Sequence, residues 1–316
     1  MYFKMLSESI NTTREDFFPE TTDYWVPSSK AEGLFRTAGD FETLVDPVQW
    51  PKLLVLHVGD PTSAQQGETS AYLHTFKFGA NETVSSTGIK PFTTKIGVGI
   101  EKDREILGCV MESMSIEAIN KEEVSCTCSI IGSGNEQLKT AATPNWSAYT
   151  QPHFTFVSAD TMTIGGTDRL STPPEVEAFR LTLGRSWDAD HYVLGTRFLY
   201  EPTLSGFATV EGSLDLSFTS EDEHERFLSA VDATGAGDQS SFAIVLQLTG
   251  ANIESSYDYY VKFTIPKAYY TASTASVSGR DRITQTVEFR GLYDGTSDCA
   301  CQIDVENTTT SYTSLS

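Results

Sequence analysis

The sequence predicts a mainly β chain in two tandem domains, each flanked by one α-helix. Three observations point there. Thr, Val, Ile, Tyr and Phe alternate with polar residues over runs of five to ten positions, the period of half-buried strands. Only two stretches carry helix punctuation. The chain has 316 residues, and at about 150 residues per domain that length suits two modest units or one large all-β unit.

Taken in order, the first helix follows Asp46, a natural N-cap with Pro47 behind it, runs through Trp50, Leu53, Leu54 and His57, and stops at Gly59. Pro51 sits deep for a first turn, which predicts an irregular start. Strands are expected over Ser113–Ile119, Val124–Ile130, Phe179–Leu183 and Leu214–Phe218, then over Phe242–Leu248, Tyr259–Ile265 and Ile283–Phe289. Asn120-Lys121, Gly132-Ser-Gly134 and Asp294-Gly295 supply the turns. The second helix opens at Ser220 with Glu223 three residues on, a capping box, and offers Phe227, Leu228 and Val231 as its buried stripe.

The two helices look like one element used twice, since each follows a strand-like run (Gly33–Thr37; Gly212–Leu216). A second echo is Ile116 followed by Cys126-Thr-Cys128, and Phe289 followed by Cys299-Ala-Cys301. Together they suggest an internal duplication, with domains at 1–150 and 151–316 joined near Thr140-Ala-Ala-Thr-Pro-Asn145.

Composition excludes several functions. With 43 Asp and Glu against 22 Lys and Arg, the net charge of −21 rules out gripping phosphate backbones through a basic surface. No apolar run approaches the roughly 20 residues of a membrane helix, and the N-terminus lacks the charged and apolar regions of a secretory signal, so a soluble chain is expected. Five cysteines, an odd number, read as buried thiols of a reducing compartment.

Chemistry-bearing motifs are missing. GxSxG, SxxK and the phosphate-cradling GxxxxGK[ST] are absent, and His57, His74, His153, His191 and His224 are scattered without HExxH or HxH spacing. The Cys-x-Cys pairs lack the two to four intervening residues that zinc sites favour. Asp188-Ala-Asp190-His191 lacks the Gly and terminal Glu of a calcium loop. No metal and no cofactor is expected. A glycosidase carboxylate pair stays open, because a sequence does not give carboxylate separations.

Several segments together resemble the two-domain form of phage tail tube protein. They are Tyr72-Leu-His-Thr-Phe-Lys-Phe78, Pro91-Phe-Thr-Thr-Lys-Ile-Gly-Val-Gly99 leading to Gly108–Ile116, and Phe154-Thr-Phe-Val-Ser-Ala-Asp160 with Val176–Leu183 after it. The last runs from Tyr260-Val-Lys-Phe-Thr-Ile-Pro-Lys-Ala268 through Val277–Ile283 to Gln285–Asp294. Each motif is weak alone; their order and spacing, across roughly Gly33 to Asn307, carry the resemblance.

The resemblance implies tandem β-sandwich or barrel domains and a non-enzymatic virion protein that self-assembles into stacked rings. Three two-domain chains would make one ring with pseudo-sixfold symmetry, forming the tail tube through which DNA is ejected. The implied partners are further copies of the chain, the tape measure, the tail terminator and the tail tip. DNA passes through the lumen without specific binding, no membrane is involved, and the protein resides in the virion tail after assembly in the host cytoplasm. A substantial share of the −21 is expected to line the lumen.

Ring stacking needs a projecting element, and the segment Ser186–Ser205 lies where one would be. Trp187, Asp188, Asp190, Tyr192, Arg197, Phe198 and Tyr200 are therefore the contact candidates between subunits or rings. The aromatics among them suit the core of the second domain equally well. Gly79–Gly88 is the counterpart loop of the first domain. The reading from another class is a carbohydrate-binding or adhesion β-sandwich of a tail tip or baseplate, which predicts glycan binding without polymerisation.

Overall fold

The computed structural model describes residues 3–312 except 21, 24, 81–87, 98–100, 144–148, 172–174, 201, 229–238 and 276–282. The chain is mainly β. Strands β1 (Met5–Glu8), β2 (Asn11–Phe17) and β3 (Ala31–Leu44) precede helix α1 (Pro51–His57). After it come β4 (Thr62–Gln65), β5 (Tyr72–Phe78), β6 (Phe92–Gly97), β7 (Lys102–Ile119), β8 (Ser125–Gly132) and β9 (Glu136–Thr140). The chain continues with β10 (Ala159–Ile164), β11 (Thr167–Asp168), β12 (Val176–Gly184), β13 (Trp187–Asp188), β14 (Thr203–Leu204) and β15 (Thr209–Ser217). Helix α2 (Asp222–Leu228) leads to β16 (Phe242–Glu254), β17 (Tyr257–Ala275), β18 (Thr284–Gly291) and β19 (Cys301–Asn307).

One long antiparallel sheet runs β3-β8-β7-β12-β15-β18-β17, with β1 and β2 added on the outside of β3. It crosses the expected boundary between residues 150 and 151 without a break, because Ser113–Ile119 of β7 pairs with Ala178–Gly184 of β12. A second layer covers one face. Under the later segment it runs β4-β5-β19-β17-β16-β10, and under the earlier one β6-β7-β9. Strands β7 and β17 belong to both layers. Tyr257–Ile265 of β17 pairs with β16 and β19, while Ala268–Ala275 pairs with β18.

The core lies between the layers. Alternation puts Met114, Ile116, Phe179, Leu181, Leu183, Leu214, Val287 and Phe289 on the inner face of the long sheet, against Met162, Ile244, Leu246, Phe263 and Ile303. Phe179 bridges the gap, 6.3 Å between ring centroids from Phe289 and 6.3 Å from Phe263. Burying a side chain of this size contributes about 1.5–3 kcal/mol.

The helices begin differently from the sequence expectation. Asp46 does cap, accepting N–H bonds from Val48, Gln49 and Trp50 at 2.9, 2.7 and 3.2 Å, but it closes an irregular turn. The α-helix itself begins at Pro51, which stands where its missing N–H costs nothing. In α2, the Glu223 carboxylate does not close a capping box. It is buried and taken by Arg169, by Arg226 Nε at 3.0 Å and by Tyr270 Oη at 2.6 Å, and Arg169 also meets Glu175 at 2.8 Å. Phe227 packs against the core and Leu228 is exposed; Val231 lies outside the described residues.

All five cysteines are free and buried. The Cys-x-Cys echo does not mark equivalent strands. Cys126 and Cys128 lie on β8 in the long sheet, whereas Cys301 lies on β19 in the second layer. The expected junction at Asn145 and most of the Gly79–Gly88 loop fall outside the described residues.

Candidate functional site

Two surfaces stand out. The first is the solvent face of the long sheet. Cross-strand partners share a face, so the registers place Asp40, Glu42, Ser125, Thr127, Ser129, Ser113, Ser115 and Glu117 together with Arg180, Thr182, Glu211, Ser213, Asp215, Thr286, Glu288 and Arg290. This face is a Ser/Thr lawn carrying charge. Its two guanidiniums are matched, Arg180 Nη1 to Asp215 Oδ2 at 2.8 Å and Arg290 Nε to Glu211 Oε1 at 3.6 Å. Asp40, Glu42, Glu117 and Glu288 have no cation within ion-pair distance among the described residues, so the face is net negative.

The second surface is the β2-β3 hairpin and the segment that straps it. The loop between β12 and β15 is closed at its base by the short β13-β14 pair, and then folds across onto the N-terminal hairpin. Phe198 stacks on Phe35 at 5.5 Å, the Phe35 N–H donates to Arg197 O at 2.9 Å, and Tyr192 Oη donates to Phe35 O at 2.9 Å. Arg197 Nε donates to Gly33 O at 2.8 Å, and its terminal nitrogens reach Asp16 at 3.4 Å and Glu32 at 3.2 Å. Arg36 returns the contact to Asp190 at 2.7 Å. Asp16 is the hub, also holding Arg14 Nε at 2.6 Å, Lys30 Nζ at 2.8 Å and the Gly33 N–H at 3.1 Å. The Arg14 and Lys30 hydrogen bonds keep its carboxyl well below the usual carboxylate range.

The seven contact candidates thus have distinct places. Trp187 is buried beside Ile89, Val110, Ile131 and Leu199, with Nε1 donating to Met111 O at 2.9 Å. Asp188 accepts the Asp190 N–H and is half-buried. Asp190, Tyr192, Arg197 and Phe198 form the strap, and Tyr200 is 65% exposed. Sequence reasoning missed the apolar groups that face solvent, Phe17, Phe18, Trp25 and Val26 at the hairpin end and Leu194 on the strap. Trp25 and Val26 lie between two strand runs; that position is the signal that could have found them.

A mouth between the layers is lined mainly by Met162, Leu170, Phe179, Leu246 and Leu248, with Asn120, Ser217 and, among the described residues, the single carboxylate Glu177. One acid among apolar walls is not an acid-base pair.

No curated protein matches the chain. A family model does, that of phage tail tube protein, over residues 27–291. The match takes in the long sheet's seven core strands, both helices and the strap. It is the family of a structural virion component, located in the phage tail and built to assemble with itself and with other tail proteins. The continuous sheet with a wettable acidic face and the apolar-tipped hairpin suit that role, and the chain belongs to the phage tail tube protein family.

Proposed function

We propose that copies of this chain close into stacked rings of three, with pseudo-sixfold symmetry, and that the solvent face of the long sheet lines the bore through which DNA leaves the capsid. The observation that carries the reading is the unmatched acidity of that face, at Asp40, Glu42, Glu117 and Glu288. Duplex DNA carries about one negative charge per 1.7 Å, and a wall of Lys and Arg would hold it by counterion release. A wall of hydroxyls whose carboxylates outnumber its two guanidiniums, both of them already paired to carboxylates, wets the bore and repels the phosphate backbone. The role is structural, with no catalytic step and no cofactor.

The strapped hairpin is the projecting element, docking the apolar groups Phe17, Phe18, Trp25 and Val26 on a neighbouring ring. Tyr192, Arg197 and Phe198 fix its direction and Trp187 anchors the base of the strap, while Tyr200 and Leu194 join the contact. The tape measure, terminator and tail tip meet the tube's inside and its two ends.

Electron cryo-microscopy of the purified protein at high concentration tests this. Stacked rings with β7, β12, β15 and β18 facing an open channel are expected. Tubes with that face turned outward, or a bore walled by basic residues, would overturn the assignment.

A further inference from the structure

The registers give the long sheet two distinct ends. Leu44↔Ser125, Ile119↔Ala178 and Val176↔Leu216 lie at one of them, and Thr37↔Gly132, Val110↔Ile131, Ser113↔Gly184 and Gly184↔Thr209 at the other. Strand β3 does not stop where β8 does. It starts at Ala31, six residues before Thr37, and β2 runs along it to Phe17, so the hairpin reaches about 20 Å past the end of β8 at about 3.3 Å per residue. Its turn is stiff, because Pro19 and Pro27 bracket it and hold Phe18 and Val26 extended.

The mouth between the layers opens at the first end. Ile119 closes β7 there and Asn120 follows it, Val176 and Glu177 begin β12, and Ser217 ends β15. The rim continues onto Phe156 and Val157, both exposed, which are tied to the same end by the Phe156 N–H donating to Glu122 O at 3.1 Å. Each copy therefore shows an apolar tip at one end of its sheet and an apolar mouth at the other.

The cavity behind the mouth measures about 320 Å³. Small-molecule pockets span about 300–1,000 Å³, so this one suits a single large side chain better than a drug-sized ligand. Its walls are apolar, Asn120 and Glu177 present acceptor oxygens at the strand ends, and no Lys, Arg or His lines it among the described residues. Such a site is complementary to an apolar body with an N–H on its electropositive ring edge, and it rejects an acid. Trp25 is that side chain. It is 105% exposed, in the turn beyond Phe17, and carries its own donor. Leu194 on the strap is equally exposed but has no N–H to give.

We propose that Trp25 of one copy enters the mouth of the copy stacked on it, its indole N–H donating to Asn120 or Glu177 and Val26 packing on Phe156 and Val157. Tip and mouth are different surfaces at opposite ends of the sheet, so the contact is heterologous and repeats along the strands without closing. It rests on the reading above that the hairpin reaches a neighbouring ring, and it names where the hairpin lands. The landing site is the interior of the next sandwich. An open cavity leaves its lining atoms without partners on one side, so the plug completes the core of the copy that receives it, and the two prolines limit the ordering that docking requires.

Two variants test the two halves of the contact. Trp25→Ala removes the plug, and Ala159→Trp, on the wall of the mouth, fills the socket from within. Each should raise the protein concentration at which electron microscopy shows tubes by at least about 30-fold, the factor that corresponds to a hot spot of about 2 kcal/mol. Rings of Trp25→Ala keep open mouths and rings of Ala159→Trp keep free tips, so a mixture of the two should give stacks of two rings and nothing longer. A second measurement does not depend on how Ala159→Trp folds. The Trp25 fluorescence, taken as the difference between the parent and Trp25→Phe, should be quenched by acrylamide several-fold less in tubes than in dispersed protein. Tubes in which Trp25 stays as open to acrylamide as in the dispersed chain overturn the proposal and leave the ring reading standing. The same holds if Ala159→Trp, shown to be folded by its melting curve, forms tubes at the parental concentration. A parent chain that stays dispersed at high concentration overturns both.

Discussion

Replacing Glu223 by alanine should cost the chain about 3 kcal/mol, the low end of the penalty for removing one member of a buried ion pair. The structure argues for the low end. Glu223 is buried with both oxygens engaged, one by Arg169 and the other by Arg226 and Tyr270. Without it, the buried Arg169 keeps Glu175 at 2.8 Å, so its charge is not stranded, but the Tyr270 hydroxyl loses its acceptor. With about 2.1 cal/mol/K of unfolding entropy per residue over 316 residues, 3 kcal/mol lowers the melting temperature by roughly 4–5 °C. Differential scanning calorimetry at a concentration too low for assembly measures it. Leu228→Ala, an exposed change on the same helix, serves as the control and should shift melting by less than about 1 °C. Glu223→Gln, which keeps an oxygen for Tyr270 but drops the charge, should fall between. If Glu223→Ala melts within 1 °C of the parent, the cluster does not hold α2 on β17 and the reasoning fails.

Three further outcomes are expected from the geometry. Burial pushes the His57 imidazole down to about 3, so its neutral form belongs to the fold and the unfolded chain takes the proton first. Its contribution is whole above about pH 6.5 and falls by about 1.4 kcal/mol per pH unit from there toward pH 3. The stability gap between the parent and His57→Leu, read from urea melts at pH 7 and pH 5, should therefore narrow as the pH drops, and a constant gap would refute it. Asp16→Ala releases Arg14, Lys30, Arg197 and the Gly33 N–H at once, and amide exchange at Gly33 should accelerate while that of β12 and β15 does not change. Glu117→Lys with Glu288→Lys should turn assembled tubes into salt-sensitive DNA binders in a mobility-shift assay, whereas parent tubes leave DNA free.

Strands are the legible part of this sequence because their signal is local. Alternation alone locates β12, β15 and β18 and the half of β7 that pairs with β12. Helix ends are half legible. Asp46 announces a cap, but whether it closes a helix or a turn is settled by Pro51 five positions later. Glu223 in a Ser-x-x-Glu pattern looks identical whether it turns back to its own backbone or inward to Arg169, and Arg169 is 54 residues away. The strap is the hardest case. Tyr192 and Phe198 look the same in sequence whether they fill a core or anchor a neighbour, and what they touch, Phe35, is more than 150 residues back. The cysteine pairs point to a repeat through the wrong residues. The β7-β8 and β17-β18 hairpins share a register, Met114↔Cys128 in one and Ser273↔Val287 in the other, each 159 residues on, so Cys128 corresponds to Val287 and the shared backbone carries almost no shared side chains. Glycines at 39 and 212, where a strand passes too close for a Cβ, are the sequence trace that remains.

The two strands that belong to both layers have a mechanical consequence. Two sheets held by apolar contact alone can slip over one another like stacked plates, since such packing resists separation better than shear. Here β7 and β17 each leave one layer and enter the other as unbroken backbone, like rivets through a laminate. A load that bends the outer layer must then turn the inner one with it. In the tube proposed above, such subunits would flex at the joints between rings while each wall segment keeps its curvature, and the width of the bore would hold constant along a curved path.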